Sequence, residues 1–335
     1  MISFRLGVDD LADTRFAISP LGELMESLRV LRAPALHPLH GRWRRAVLAA
    51  LVPTDLPLLS ALVGPALALP DFLTPRPTVH APTLDEELAV VRATPPDVVR
   101  RDLLAAHAPR PLPAALRWAG APDDAPVLEL LGRVVELLLR YWHTALLPYW
   151  PRIRLVLEAD ITHRAGQLAT GGARSLFAGL HPNLGWRDGV LSVDKMIGRH
   201  AVDGAGRGLR LIPSVFAHKP APPISAAAPP MLAYPGRGTA TLWEPEPDPD
   251  PDASALAALL GAPRTTLLRL LAEPLPTVEL ARRLGVTPSA VSQHLRILAA
   301  TGLVTRARDG RRVLYRRSAL AERLVAGHPL FPARA

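Results

Sequence analysis

The sequence predicts a mostly α-helical protein, with a small β-sheet in its N-terminal part and a C-terminal module of mixed α+β character. Three observations predict it. Apolar residues recur at helical spacing through the first 180 positions, above all at Leu21, Leu24, Met25, Leu28 and Leu31 and at Leu128, Leu131, Val135, Leu138 and Trp142. Short β-like runs between Gly-rich and Pro-rich turns follow in 189–234. Residues 277–317 then read as helix, tight turn, helix and an Arg-rich hairpin.

In order along the chain, Ile2, Phe4 and Leu6 alternate with polar residues and predict an opening strand. Ser19-Pro20 caps the first amphipathic helix. Trp43 begins another, and shorter helices are predicted at 55–68, 84–92, 95–107 and 111–119. Prolines punctuate these connections, and the whole chain holds thirty-seven, about twice average usage. Two long helices follow, at 127–147 and at 152–169, the second ending at Gly171-Gly172. Strands are predicted at 189–193, 209–216 and 230–234, in one small sheet that the opening strand can join. Residues 244–252 alternate acid and proline, a composition that predicts an extended spacer of about 28 Å at about 3.1 Å per residue. The predicted division is therefore a mainly helical domain at 1–243 with strands in 1–8 and 189–234, a linker at 244–253, a C-terminal helix-and-hairpin module at 254–326 and a tail at 327–335.

Composition bounds the function. The chain has 335 residues, enough for two or three cores, and no Cys, which excludes disulfides and thiolate metal sites. Its net charge of +9 is not spread evenly. From Ser254 onward there are 13 Arg against 4 acidic residues, whereas 1–253 hold 26 basic and 26 acidic residues. Positive charge confined to one module is the electrostatic footprint of nucleic-acid binding. The N-terminus lacks a basic signal-peptide region, and the most apolar run, 46–70, is broken by Asp55 and three prolines. The expectation is a cytoplasmic protein that does not engage a membrane.

The C-terminal module carries the specific signal. Thr277 is predicted to cap one helix, with Val278, Leu280, Ala281 and Leu284 on its apolar stripe. Gly285 stops that helix, because glycine enters the left-handed conformation without steric cost. Thr287 caps a second helix with Pro288 at its first position. On this helix Val291, Leu295 and Leu298 share one face, and Ser289, Ser292, Gln293 and Arg296 fall opposite. All four can hydrogen-bond to bases or phosphates. A plain solvated helix face is the alternative for these four alone. The following hairpin, predicted to turn at Asp309-Gly310, crowds Arg306, Arg308, Arg311, Arg312, Arg316 and Arg317 together. That crowding costs stability unless something negative lies against it. Together these elements predict a winged helix-turn-helix for double-stranded DNA.

The segment TPSAVSQHLRILAATGLVTRARDGRRVLYR resembles the recognition helix and wing of the ArsR family of bacterial winged-helix repressors. The S-x-x-S-x-H-L-x-x-L core (Ser289, Ser292, His294, Leu295, Leu298), the Gly302-Leu303-Val304 exit and the D-G-R-R tip carry the likeness, which spans 254–326, about a fifth of the chain. The opening ISFRLGVDDLADTRFAISPLGELMESLRVLR is similar to the start of a long N-terminal region in actinobacterial regulators of ArsR type. The resemblance implies a homodimer on an inverted repeat, acting as a repressor. It also implies a sensing site, but the cysteines that many members use for metals are absent, the first helix reading VELARRLG. No metal or other cofactor is expected, and an unidentified small-molecule effector is left open. Leu256, Leu259, Leu260, Leu320, Leu324 and Val325 are candidate dimer residues.

Other constellations are weaker. Gly204–Gly208 lacks phosphate-loop spacing and reads as a turn. Glu158, Asp160 and His163 share part of a helix and read as a solvated face or local ion pair. His37, His40 and His80 lack metal-ligand spacing, and no nucleophile elbow is present. No catalytic residue is expected. The alternative is a small-molecule-binding protein or enzyme in the N-terminal domain, with the winged helix an appendage.

Overall fold

The computed structural model describes residues 1–196, 198–243, 251–309 and 312–325. The chain divides into two compact units, Met1–Glu244 and Pro245–Ala335. The fold is mostly α, with small sheets.

The first unit opens with β1 (Ile2–Arg5), α1 (Val8–Ala12) and β2 (Arg15–Phe16). Seven helices follow among the described residues: α2 (Pro20–Arg32), α3 (Gly41–Ala50), α4 (Leu56–Ala61), α5 (Leu84–Arg92), α6 (Pro96–His107), α7 (Asp124–Ala145) and α8 (Trp150–Leu180). Local chemistry sets several of their starts. Ser19 Oγ accepts the Gly22 N–H at 2.8 Å and caps α2. Thr83 and Glu86 satisfy each other's backbone N–H in a capping box that starts α5. The main core packs α2 (Leu21, Leu24, Met25, Leu28) with α7 (Leu131, Val135, Leu138), all buried. Leu128, assigned to the same stripe, is exposed near the start of α7. The predicted break at Gly171-Gly172 is real: α8 kinks at Gly172, whose φ of 67° is left-handed.

Two sheets stand where one was expected. After β3 (Leu184–Arg187), β4 (Val190–Val193) and β5 (His200–Asp203), the first sheet runs β3-β4-β1-β5. The opening strand is therefore central, antiparallel to β4 and parallel to β5. A separate parallel sheet, β2-β6-β7, uses β6 (Arg210–Ser214) and β7 (Met231–Pro235). A second cluster of buried residues, including Phe4, Phe177, Leu191, Val202, Leu211 and Tyr234, joins these strands to the end of α8. The glycine loop at 204–208 wraps a buried carboxylate: Asp10 accepts the N–H of Gly7 at 2.9 Å and of Gly208 at 3.1 Å. A Cβ at Gly204 would collide with that carboxylate. The loop is a packing device of the fold.

The second unit contains α9 (Pro251–Leu260), α10 (Ala262–Leu270), β8 (Leu275–Pro276), α11 (Thr277–Leu284), α12 (Pro288–Ala300), β9 (Val304–Asp309), β10 (Arg312–Arg317) and α13 (Ala319–Val325). Helix α9 begins at Pro251, so 251–253, assigned to the spacer, belong to a helix: proline is tolerated in a first turn. The rest of the predicted spacer, 244–250, and the predicted tail, 327–335, lie outside the described residues. Leu267, Leu268, Leu280, Val291, Leu295, Leu298 and Leu303 form the core of this unit.

Candidate nucleic-acid interface

The turn between α11 and α12 is built by its residue types. Gly285 adopts φ 64°, ψ 29°, and the Val286 N–H returns to the Ala281 carbonyl at 3.1 Å. Thr287 is extended and its Oγ1 accepts the Ala290 N–H at 3.4 Å, with Pro288 in the first turn. Three residues thus separate the helices, and α12 leaves the turn with its register set.

That register sorts the faces of α12. Val291, Leu295 and Leu298 are buried in the core, each worth about 1.5–3 kcal/mol of burial. Ser289, Ser292, Gln293 and Arg296 are all exposed, within an arc of about 100°. Thr287 is exposed beside them, its hydroxyl 3.0 Å from that of Ser289. His294, at the edge of the buried face, is half-buried, with an Nδ1 that has no hydrogen-bond partner among the described residues. The helix is about 20 Å long and about 10–12 Å across, dimensions that a B-DNA major groove about 12 Å wide admits.

Helix α11 corrects two expectations. Pro276, not Thr277, occupies the cap position, because it is held extended by pairing with Leu314 of β10. Thr277 is the first helical residue and is half-buried. Val278 is 69% exposed, since it lies about 200° around the helix from Leu280. Glu279 binds Arg282 through both oxygens, at 2.7 and 2.9 Å, and takes Arg283 at 2.8 Å. Hydrogen bonds from these two guanidiniums pull its pKa down to about 2. Both arginines of α11 are therefore already engaged.

The wing is three-stranded, β8-β10-β9, rather than the two-stranded hairpin expected. Asp309 pairs with Arg312 as the last described rung, so Asp309 belongs to the strand and not to the turn. Arg306 and Arg308 are exposed and share one face of β9. Their cross-strand neighbours, Tyr315 and Val313, are uncharged. Among the described residues Arg296, Arg306 and Arg308 have no ion-pair or hydrogen-bond partner. Arg316 points to the other face, and Arg317 is paired internally with Glu322 at 3.2 Å. Arg312 is placed by its backbone alone, and Arg311 lies outside the described residues. Of the candidate dimer residues, Leu256 is buried while Leu260, Leu324 and Val325 pack on the core. Leu259 (74% exposed) and Leu320 (42% exposed) face outward.

The first unit disposes of the other constellations. Asp160 is buried and accepts from Tyr234 Oη at 2.8 Å and the Arg237 N–H at 3.0 Å, with Arg164 at 3.5 Å. Glu158 pairs with Arg154 at 2.8 Å, and His163 is exposed. His37 and His40 are buried beside His218, Phe216 and Trp43, a grouping the linear spacing did not disclose. His80 approaches the Phe16 carbonyl at 3.1 Å. Among the described residues no group of three His, Cys, Asp or Glu side chains has the geometry to hold a metal ion. No helix among them is long and apolar enough to cross a membrane.

A search of curated proteins returned no match to the chain. Residues 264–307 match a family model described as a helix-turn-helix domain. The matched segment runs from α10 through α12 into β9, over the same helices whose faces are described above. The chain carries a C-terminal helix-turn-helix domain with a β-wing.

Proposed function

We propose that the protein is a sequence-specific, DNA-binding transcriptional regulator of ArsR type. The observation that carries this reading is the α12 face. Ser289, Ser292, Gln293 and Arg296 stand together in solvent, opposite a buried Val-Leu-Leu stripe, beside a wing whose Arg306 and Arg308 lack internal partners. Gln293 suits bidentate pairing with adenine and Arg296 with guanine. Thr277 and Thr287, near helix N-termini, suit phosphate oxygens. Arg306, Arg308, Arg311 and Arg312 suit phosphates or the minor groove.

The finer reading follows the resemblance. The regulator is a homodimer on an inverted repeat, with half-site centres about 34 Å apart or a multiple of that. Leu259 and Leu320 are the outward apolar residues that a partner copy would cover. Repression follows where the operator overlaps a promoter. The protein acts in the cytoplasm, is not an enzyme and needs no cofactor, and its first unit supplies input or assembly. Fluorescence anisotropy with a selected operator duplex and a scrambled duplex, across a salt series, tests this. The reading expects a specificity ratio of about 10³ or more. Equal affinity for the two duplexes at every salt concentration contradicts it.

A further inference from the structure

The first unit holds a cavity of about 310 Å³, at the lower end of the usual range for small-molecule sites. It opens beside the Glu26–Arg29 face of α2, against the end of α6, the faces of β6 and β7 and the loop at 218–224. Most of its lining is apolar, including Leu67, Ile212 and Met231. Its titratable lining is small enough to account for group by group.

Asp71 is occupied by the fold, since its oxygens accept the N–H groups of Ile224 at 2.8 Å and Ser225 at 2.7 Å. Arg29 is also occupied: it donates to Glu26 Oε1 at 2.6 Å and to the Leu67 carbonyl at 2.8 Å. His200 and His218 are held neutral near pH 7, chiefly by burial, His218 with its pKa down to about 4. Two groups remain. Lys219 makes no ion pair among the described residues. Burial and the neighbouring Arg29 charge hold its pKa below the usual lysine range. Glu26, 4% exposed, has an Oε2 with no hydrogen-bond partner among the described residues. A buried acceptor left empty is destabilising.

The cavity is thus lined by an unpaired cation and an apolar wall, and Glu26, on the same lining, carries the unpartnered oxygen. A cationic ligand would meet the unpaired Lys219 and find both acids engaged, Glu26 by Arg29 and Asp71 by two backbone N–H groups. A phosphate, carrying about −1.5 to −2 charge, would find a single unpaired cation. We propose that this cavity binds a small apolar carboxylic acid that also carries a hydrogen-bond donor. Its carboxylate pairs with Lys219, its hydroxyl or amine donates to Glu26 Oε2, and its hydrocarbon lies along Leu67, Ile212 and Met231. This goes beyond DNA binding and does not depend on it.

The test is calorimetric titration of the full chain with four probes of equal chain length: 2-hydroxyoctanoate, octanoate, octanol and octylamine. 2-Hydroxyoctanoate is expected to bind at least about tenfold more tightly than octanol or octylamine, with octanoate between. Lys219→Met is expected to lower its affinity to the level of octanol while leaving octanol binding and the melting temperature in place. Lys219→Gln, a second variant that removes the charge but keeps a polar end, is expected to show the same loss. The proposal is overturned by failure of 2-hydroxyoctanoate to bind at millimolar concentration, by equal binding of acid and amine, or by unchanged affinity in both Lys219 variants. Octanoate binding as tightly as 2-hydroxyoctanoate overturns the part assigned to Glu26.

Discussion

Glu23→Gln is expected to stabilise the first unit at neutral pH, by an amount that grows with pH. Glu23 is 1% exposed on α2, and its Oε2 accepts the Val215 N–H at 3.2 Å. Burial pushes its pKa up to about 8, with Glu26 adding to the rise and Ser214 and the Val215 N–H opposing it. Between its unfolded value near 4.5 and the folded value near 8, the folded chain keeps a proton that the unfolded chain releases. Stability from this group is therefore complete below about pH 4.5 and declines by about 1.4 kcal/mol per pH unit up to about pH 8. Glutamine is nearly isosteric and does not titrate. The stability difference, variant minus parent, should then rise by about 3 kcal/mol between about pH 5 and about pH 7.5. The assay is urea denaturation of both proteins at each pH. Buried His40 and half-buried His218, with pKa values down to about 4, impose an opposite slope below pH 6.5 on parent and variant alike. The difference cancels it. A difference that stays flat with pH would refute the assignment of Glu23 as a buried, protonated acid.

Other expectations concern the C-terminal unit. Gln293→Ala should cost about 1–3 kcal/mol on the operator and relax base preference at one position, measured by anisotropy over single-base operator variants. Arg308→Ala should weaken binding to every sequence and flatten the slope of log K against log salt by about one. Leu295→Ala should destabilise the helix-turn-helix by about 2–5 kcal/mol, since Leu295 is 0% exposed; far-UV circular dichroism during denaturation reads it. Gly285→Ala should cost about 1–2 kcal/mol through backbone strain alone, because φ is 64° and an added Cβ meets nothing within 4 Å.

What was legible in the sequence was mostly local. Ser19 and Pro20, and Gly285, Thr287 and Pro288, each act within a few residues, and their helices start or stop where these residues imply. The exposed quartet of α12 was legible because a 13-residue helix with one buried stripe leaves a single choice of outward face. Long-range pairing was not legible. Strand β2 has two residues, too few for a periodic signal, yet it pairs with β6 at the edge of the β2-β6-β7 sheet across nearly 200 positions. Strand β8 is equally short and holds a proline, so the third strand of the wing and the true cap of α11 were both missed. The Glu26–Lys219 cavity was missed for the same reason: its charged residues are far apart in sequence and only the packing of α2 against the strands assembles them.

The central claim is that the α12 face reads DNA sequence. The most direct measurement is recovery and sequencing of genomic DNA fragments bound by the purified full-length protein, beside a Gln293→Ala, Arg296→Ala double variant. The account predicts a shared palindromic site for the parent and its loss in the variant, with residual binding that falls steeply with salt. Recovery of the same fragments by both proteins, or of fragments with no common sequence by the parent, would contradict it.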